Sequence, residues 1–168
     1  VSDDGPGAHP QRPQSRRAVL VAALAALGVA VLGGLSTDLG DWYAQLKQPP
    51  WKPPDALFGP AWTLIFALTA LSGVMAWRHA GARQRSGILI VFALNGFLNV
   101  LWSLLFFRLR RPDWAFAEVT FLWASILLMM VVCWRSSRRA ALLLLPYLAW
   151  VAFAALLNLE VVRLNGPF

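Results

Sequence analysis

Five long apolar stretches alternate with short polar ones along the chain. The first, Ala18 to Leu35, is built from Ala, Leu, Val and Gly and holds no charge. The second runs from Ala56 to Trp77, and the third from Ser86 to Phe107. The fourth, Trp114 to Trp134, carries a single charge at Glu118, and the fifth is Ala140 to Leu159. A hydrocarbon core about 30 Å thick takes roughly 20 residues at about 1.5 Å rise each, so every stretch can cross a bilayer. Backbone in lipid has to satisfy its own N–H and C=O groups, which selects helices, and the short alternating segments of a β-barrel are missing. The pattern predicts an all-α integral membrane bundle of five transmembrane helices.

Between the spans the chain is mostly terse, which makes successive helices antiparallel neighbours. Residues 1–15 are polar, with Pro6, Pro10 and Pro13, and read as a disordered tail ahead of one membrane domain over 16–168. Ser15-Arg16-Arg17 before an apolar run has the outline of a twin-arginine signal. The run ends Gly33-Gly34-Leu35-Ser36-Thr37-Asp38 without a small-residue cleavage site, so a retained first helix is expected. Residues 36–56 form the one long connection, with no obvious helix or strand, and loops of that kind are commonly functional. Trp42, Tyr43 and Trp51 lie in it among Pro49, Pro50, Pro53 and Pro54, and proline stiffens both itself and the residue before it. An ordered, extended lid is expected there.

Composition agrees with a membrane address. Residues of the AVILMFWYC set make up 58% and charged residues 14%, against about a quarter charged in a soluble domain, so the composition argues against an ordinary globular enzyme. A single cysteine, Cys133, excludes a disulfide scaffold and reads as a buried structural thiol. The net charge of +7 does not indicate nucleic acid, because the arginines cluster at span ends and form no basic face. Such clusters suit loop anchoring and anionic lipid. The tail, the second-to-third loop and the fourth-to-fifth loop collect nine arginines, against six bases on the other face. The positive-inside rule then puts the N-terminus in the cytoplasm and the Pro/Trp loop outside.

The nine tryptophans divide by depth. Trp77, Trp114 and Trp134 sit at span ends, as an interfacial belt requires. Trp62, Trp102 and Trp150 fall well inside spans, where an indole N–H needs a partner or a ligand. In the third span Asn95, Asn99 and Trp102 share one face at i, i+4 and i+7. Steps of four also align Pro146, Trp150, Ala154 and Asn158 in the fifth span, and Phe58, Trp62 and Phe66 in the second. Amides in mid-membrane either bond across helices or line a cavity. Converging, the three stripes would enclose a pocket with flat aromatic walls and a few amide hydrogen bonders, suited to a large planar ligand. Catalytic constellations are lacking: His9 is in the tail, His79 follows the second span, and Cys133 has no ligand partner at metal spacing. Asp113 and Glu118 read as acids favoured near a helix start, and Glu160 with Arg163 as a solvated pair.

These residues carry a resemblance. Trp42-Tyr43-Ala44-Gln45-Leu46-Lys47-Gln48-Pro49-Pro50-Trp51-Lys52-Pro53-Pro54 resembles the WYxxLxKPxWxPP loop of the tryptophan-rich sensory protein and peripheral benzodiazepine receptor family (TspO/MBR, the translocator proteins). Leu98 to Phe107 resembles its LNxxWSxxFF, and Pro146-Tyr147-Leu148-Ala149-Trp150 with Asn158 its PYLxW…LN ending. The motifs run in order over residues 18 to 166. The resemblance implies a five-helix membrane protein, usually a homodimer, that binds porphyrins and other flat hydrophobic ligands beneath the first loop. On that resemblance Trp62, Phe66, Asn95, Asn99, Trp102, Tyr147, Trp150, Ala154 and Asn158 are cavity positions, and Trp42 and Trp51 belong to the lid. The sterol-recognition motif of animal members is incomplete, since Leu159 and Glu160 follow Asn158 where an aromatic residue is needed. Phe66 stands where tyrosine is common and Asn95 where glutamine is common.

The expected function is a receptor or sensor binding a haem-type tetrapyrrole as ligand, with no cofactor and no nucleic acid required. Light-dependent porphyrin degradation through cavity tryptophans, and translocation of tetrapyrrole or lipid, are the alternatives. A multi-pass place in a bacterial cell membrane is expected. Ala22, Ala26 and Ala30, or Gly87 and Gly96, offer close-approach faces for a homodimer.

Overall fold

A computed structural model of the chain describes residues 13–168. The expected tail lies, up to residue 12 and including His9, outside the described residues. Seven helices follow: α1 (Pro13–Ser36), α2 (Asp41–Gln45), α3 (Phe58–His79), α4 (Ala82–Ser103), α5 (Pro112–Trp134), α6 (Arg138–Leu142) and α7 (Leu145–Asn165). Five helical stretches are long and apolar enough to cross a membrane, with α6 and α7 together making the fifth. The chain is an all-α, multi-pass integral membrane bundle.

Helix α5 is the axis of the bundle. Ala115, Val119, Leu122, Ile126, Met129 and Cys133 are all at most 2% exposed. Their alternating steps of four and three draw a seam along one face, the spacing that lets neighbouring helices interdigitate at a shallow angle. Helices α4, α6 and α7 pack on α5, whereas α1 packs on α3 and α4. Helix α1 turns Leu20, Leu24, Leu27 and Leu35 outward, each more than half exposed, as a lipid-facing side should. Its approach to α4 depends on Gly96, where an added Cβ would stand 3.0 Å from Val29 Cγ2. Ser72 on α3 ties to α6 by donating to the Ala140 carbonyl at 2.7 Å, beside the buried Cys133.

Three local features depart from five plain rods. Pro146 has no N–H for the Leu142 carbonyl and its ring crowds that carbonyl, so the fifth span breaks into α6 and α7 with a turn at Leu143–Leu144. Past Ser103 the helix widens into a π-turn, Leu104–Arg108, with the Leu109 N–H on the Leu104 carbonyl at 2.9 Å. The wide turn brings the consecutive Phe106 and Phe107 inward together. The 36–56 connection is also less extended than its prolines suggest, since it contains α2 and a 3₁₀ turn at Asp55–Leu57.

At the span ends, Arg85, Arg111 and Arg138 lie over Trp77, Trp114 and Trp134, with 5.1, 4.2 and 5.5 Å to the ring centroids. Cation–π contact of this kind fixes both partners where an interfacial belt belongs. Glu160 pairs with Arg163 at 2.8 Å as expected. Asp113 pairs with Arg111. The buried carboxylate oxygens of Glu118 find no hydrogen-bond partner among the described residues.

Candidate functional site

Between α1, α3 and α4 the bundle leaves a cavity of about 810 Å³. Its volume falls in the roughly 300–1,000 Å³ range of small-molecule sites. The cause is compositional: Ala22, Ala25 and Ala26 give α1 no bulk to fill the space facing Ala70 and Gly73 on α3. Aromatic rings of Phe66, Phe92 and Trp77 supply much of the wall, and Asn95 and Tyr147 reach it from the bundle interior. Ala22 and Ala26 from one candidate close-approach face, and Gly96 from the other, line this cavity.

A chain of buried hydrogen bonds stands behind the cavity. Asn95 Nδ2 donates to Ser125 Oγ at 2.8 Å, and that hydroxyl donates to the Leu122 carbonyl at 2.7 Å. The Tyr147 hydroxyl donates to Asn95 Oδ1 at 3.1 Å and accepts from Asn99 Nδ2 at 3.1 Å. Further along, Trp102 Nε1 donates to Asn158 Oδ1 at 3.1 Å, and Asn158 Nδ2 to the Pro112 carbonyl at 2.8 Å. Each amide escapes the cost of burial by bonding across helices, which joins α4, α5 and α7. An amide carries two N–H donors and two acceptor sites, so Asn95 retains one of each for a ligand.

The sequence-predicted residues fall into three groups. Phe66, Asn95 and Tyr147 line the cavity, and Trp62 backs it, stacked on Phe66 at 5.3 Å and edge-on to Tyr147 at 6.1 Å. Asn99 stays behind the wall on the Tyr147 hydroxyl. A second group gathers under the loop, where Trp51 meets Phe153 at 5.9 Å and Trp150 meets Phe58 and Phe153 at 5.7 and 5.6 Å. Ala154 follows on the same helix, half-buried. Trp150 borders a smaller recess of about 360 Å³ with Pro53 and Leu57, and its Nε1 has no partner among the described residues. In the third group Trp42 packs edge-on against Phe106 at 6.1 Å, and Trp102 stacks on Phe106 at 5.2 Å while holding Asn158. No described residue of the 36–56 loop lines the larger cavity, while the three stripes meet one another through Phe58 on Trp150 and Trp102 on Asn158.

The loop itself is pinned at two points. Lys47 exchanges both backbone groups with the Asn165 amide, its N–H reaching Oδ1 at 2.8 Å and its carbonyl accepting from Nδ2 at 2.9 Å. Asp55 accepts from the Tyr43 hydroxyl at 3.1 Å and from Lys52 Nζ at 2.5 Å. Burial pushes the Tyr43 phenol up, which keeps it a neutral donor in this arrangement.

Sequence reasoning missed two arginines of the cavity. Arg17 and Arg85 line its end beside Trp77, and both read from sequence only as anchors at span ends. Antiparallel alternation was the available signal, because it sets the starts of the first and third spans on one membrane face. Ser125, the acceptor for Asn95, was likewise a lone hydroxyl in an apolar run.

The TspO/MBR family model matches residues 20–164. The chain is 39% identical to a tryptophan-rich protein TspO of Chlorobaculum tepidum over 74% of its own length and 79% of that relative's. Against the tryptophan-rich protein TspO of Archaeoglobus fulgidus the identity is 36%, covering 88% of this chain and 97% of the other. A translocator protein of Ovis aries is 37% identical over 70% of each chain. With a five-span bundle, the loop and helix motifs in order, and a family match over nearly the whole described chain, the protein belongs to the TspO/MBR family.

Proposed function

We propose that the protein is a receptor or sensor that binds porphyrins and similar flat hydrophobic ligands in the cavity between α1, α3 and α4. The observation that carries this reading is the cavity's character: about 810 Å³, walled by small, branched aliphatic and aromatic side chains, with Asn95 and Tyr147 among its few polar residues. Flat rings stack on aromatic faces, and an amide and a phenol supply the few directional bonds that orient an otherwise apolar ligand. The tetrapyrrole is a ligand rather than a resident cofactor. The N-terminus lies in the cytoplasm of a bacterial cell, by the arginine asymmetry of the loops. A homodimer belongs to the same reading.

Tryptophan fluorescence of the purified chain in zwitterionic micelles, titrated in the dark with protoporphyrin, tests the reading. Saturable quenching at one porphyrin per chain is expected, weakened in Phe66→Ala and unchanged in the distant Trp134→Phe. Quenching that never saturates would refute it.

A further inference from the structure

We infer that the cavity selects an anionic amphiphile, with the carboxylate edge of the ligand held between Arg17 and Arg85. The inference rests on the porphyrin-binding reading and specifies which porphyrins the site takes. Two arginines from two different helices line a largely apolar space whose other polar residues are Thr69, Asn95 and Tyr147. No acidic residue among the described residues lines the cavity with them. The Arg85 guanidinium is held over the Trp77 ring at 5.1 Å, yet its buried Nε–H has no hydrogen-bond partner among the described residues. The Thr69 hydroxyl, also in the wall, is likewise buried without one. A fixed cation with an unused buried donor, facing an apolar cavity, is a group waiting for an acceptor.

The fold strengthens the charge at that end. Helices α1 and α4 both begin there, at Pro13 and Ala82, so the positive ends of two helix dipoles point the same way. Length fits as well. Ten residues of α4 separate Arg85 from Asn95, about 15 Å at helical rise, so a ligand touching both must be a long flat body charged at one edge. A tetrapyrrole with free carboxylate side chains on one edge has that form, and its two carboxylates match two guanidinium groups. An ester of the same ring keeps the shape and loses the charge.

The experiment compares protoporphyrin with its dimethyl ester on the full chain in zwitterionic micelles, in the dark, by fluorescence quenching. Wild type is expected to bind the free acid at least about tenfold more tightly than the ester. Arg17→Gln and Arg85→Gln together should bring the acid down to the ester's affinity, with the thermal unfolding midpoint in the same micelles reporting an intact fold. Equal affinity for acid and ester in wild type, a comparison that needs no variant, overturns the inference and leaves the porphyrin reading standing. An acid preference that survives in the double variant overturns it too. If neither compound binds wild type, the porphyrin reading fails and this inference falls with it.

Discussion

The hydroxyl of Tyr147 on α7 donates to Asn95 Oδ1 on α4 at 3.1 Å, joining the cavity wall to the hydrogen-bond chain behind it. The same oxygen accepts from Asn99 at 3.1 Å, so one phenol satisfies two amides from consecutive turns of one helix. Removing it strands both. Tyr147→Phe keeps the ring against Trp62 and leaves Asn95 Oδ1 and one Asn99 N–H without this partner. The expected cost is about 1–2 kcal/mol, the upper part of the range for hydrogen bonds between transmembrane helices. Unfolding in mixed micelles measures it, and a loss below about 0.3 kcal/mol would mean the bonds contribute little.

Glu118 gives the opposite expectation. Glu118 is 6% exposed and neither of its buried carboxylate oxygens is bonded among the described residues, so burial is uncompensated in this state. Glu118→Leu should therefore stabilise the bundle, by about 1–3 kcal/mol. A lower unfolding midpoint in that variant would show that the carboxyl has a partner that the monomer lacks.

The loop can be released without touching the bundle core. Asn165→Ala removes both bonds to the Lys47 backbone, and hydrogen exchange at residues 46–48 should quicken about fivefold to tenfold, corresponding to roughly 1 kcal/mol of lost pinning. Exchange in α5 should not change. Uniformly faster exchange throughout would mean that the clamp supports the whole fold.

Gly96 tests the seating of α1. A methyl group there stands 3.0 Å from Cγ2 of Val29, a branched side chain stiff in a helix, so α1 must shift by a few tenths of an ångström and Gly96→Ala should cost about 1 kcal/mol. Gly96→Leu needs a larger shift and should lower stability by about 1–3 kcal/mol while lifting α1 off the cavity. Equal stability of both variants in thermal unfolding would show that α1 does not seat on Gly96.

How much of this was legible beforehand depends on what carried the signal. The spans were, because a bilayer demands about 20 apolar residues and any chain that crosses must show them. The shared faces that hold Trp62 and Phe66, and Asn95, are legible because steps of three and four bring side chains onto one helix face wherever the helix sits. Which face meets which neighbour was not, since rotation of each helix is set by packing. Thus Asn99, Trp102 and Asn158 shared the expected stripes yet bond to other side chains and backbone rather than line the large cavity. Pro146 was visible as a stripe member, and its missing N–H was the overlooked sign of the break between α6 and α7. Arg17 and Arg85 stand 68 positions apart, and only folding unites them.

The central claim is that the large cavity, rather than the recess under the loop, holds the ligand. Parallel dark titrations of protoporphyrin against wild type, Ala70→Phe and Trp150→Phe test it most directly. Ala70 lines the large cavity and Trp150 borders the recess, so the two variants alter one space each. The account predicts that Ala70→Phe weakens binding at least about tenfold and Trp150→Phe less than about threefold. Strong weakening by Trp150→Phe with Ala70→Phe unaffected would contradict it and put the ligand beneath the loop.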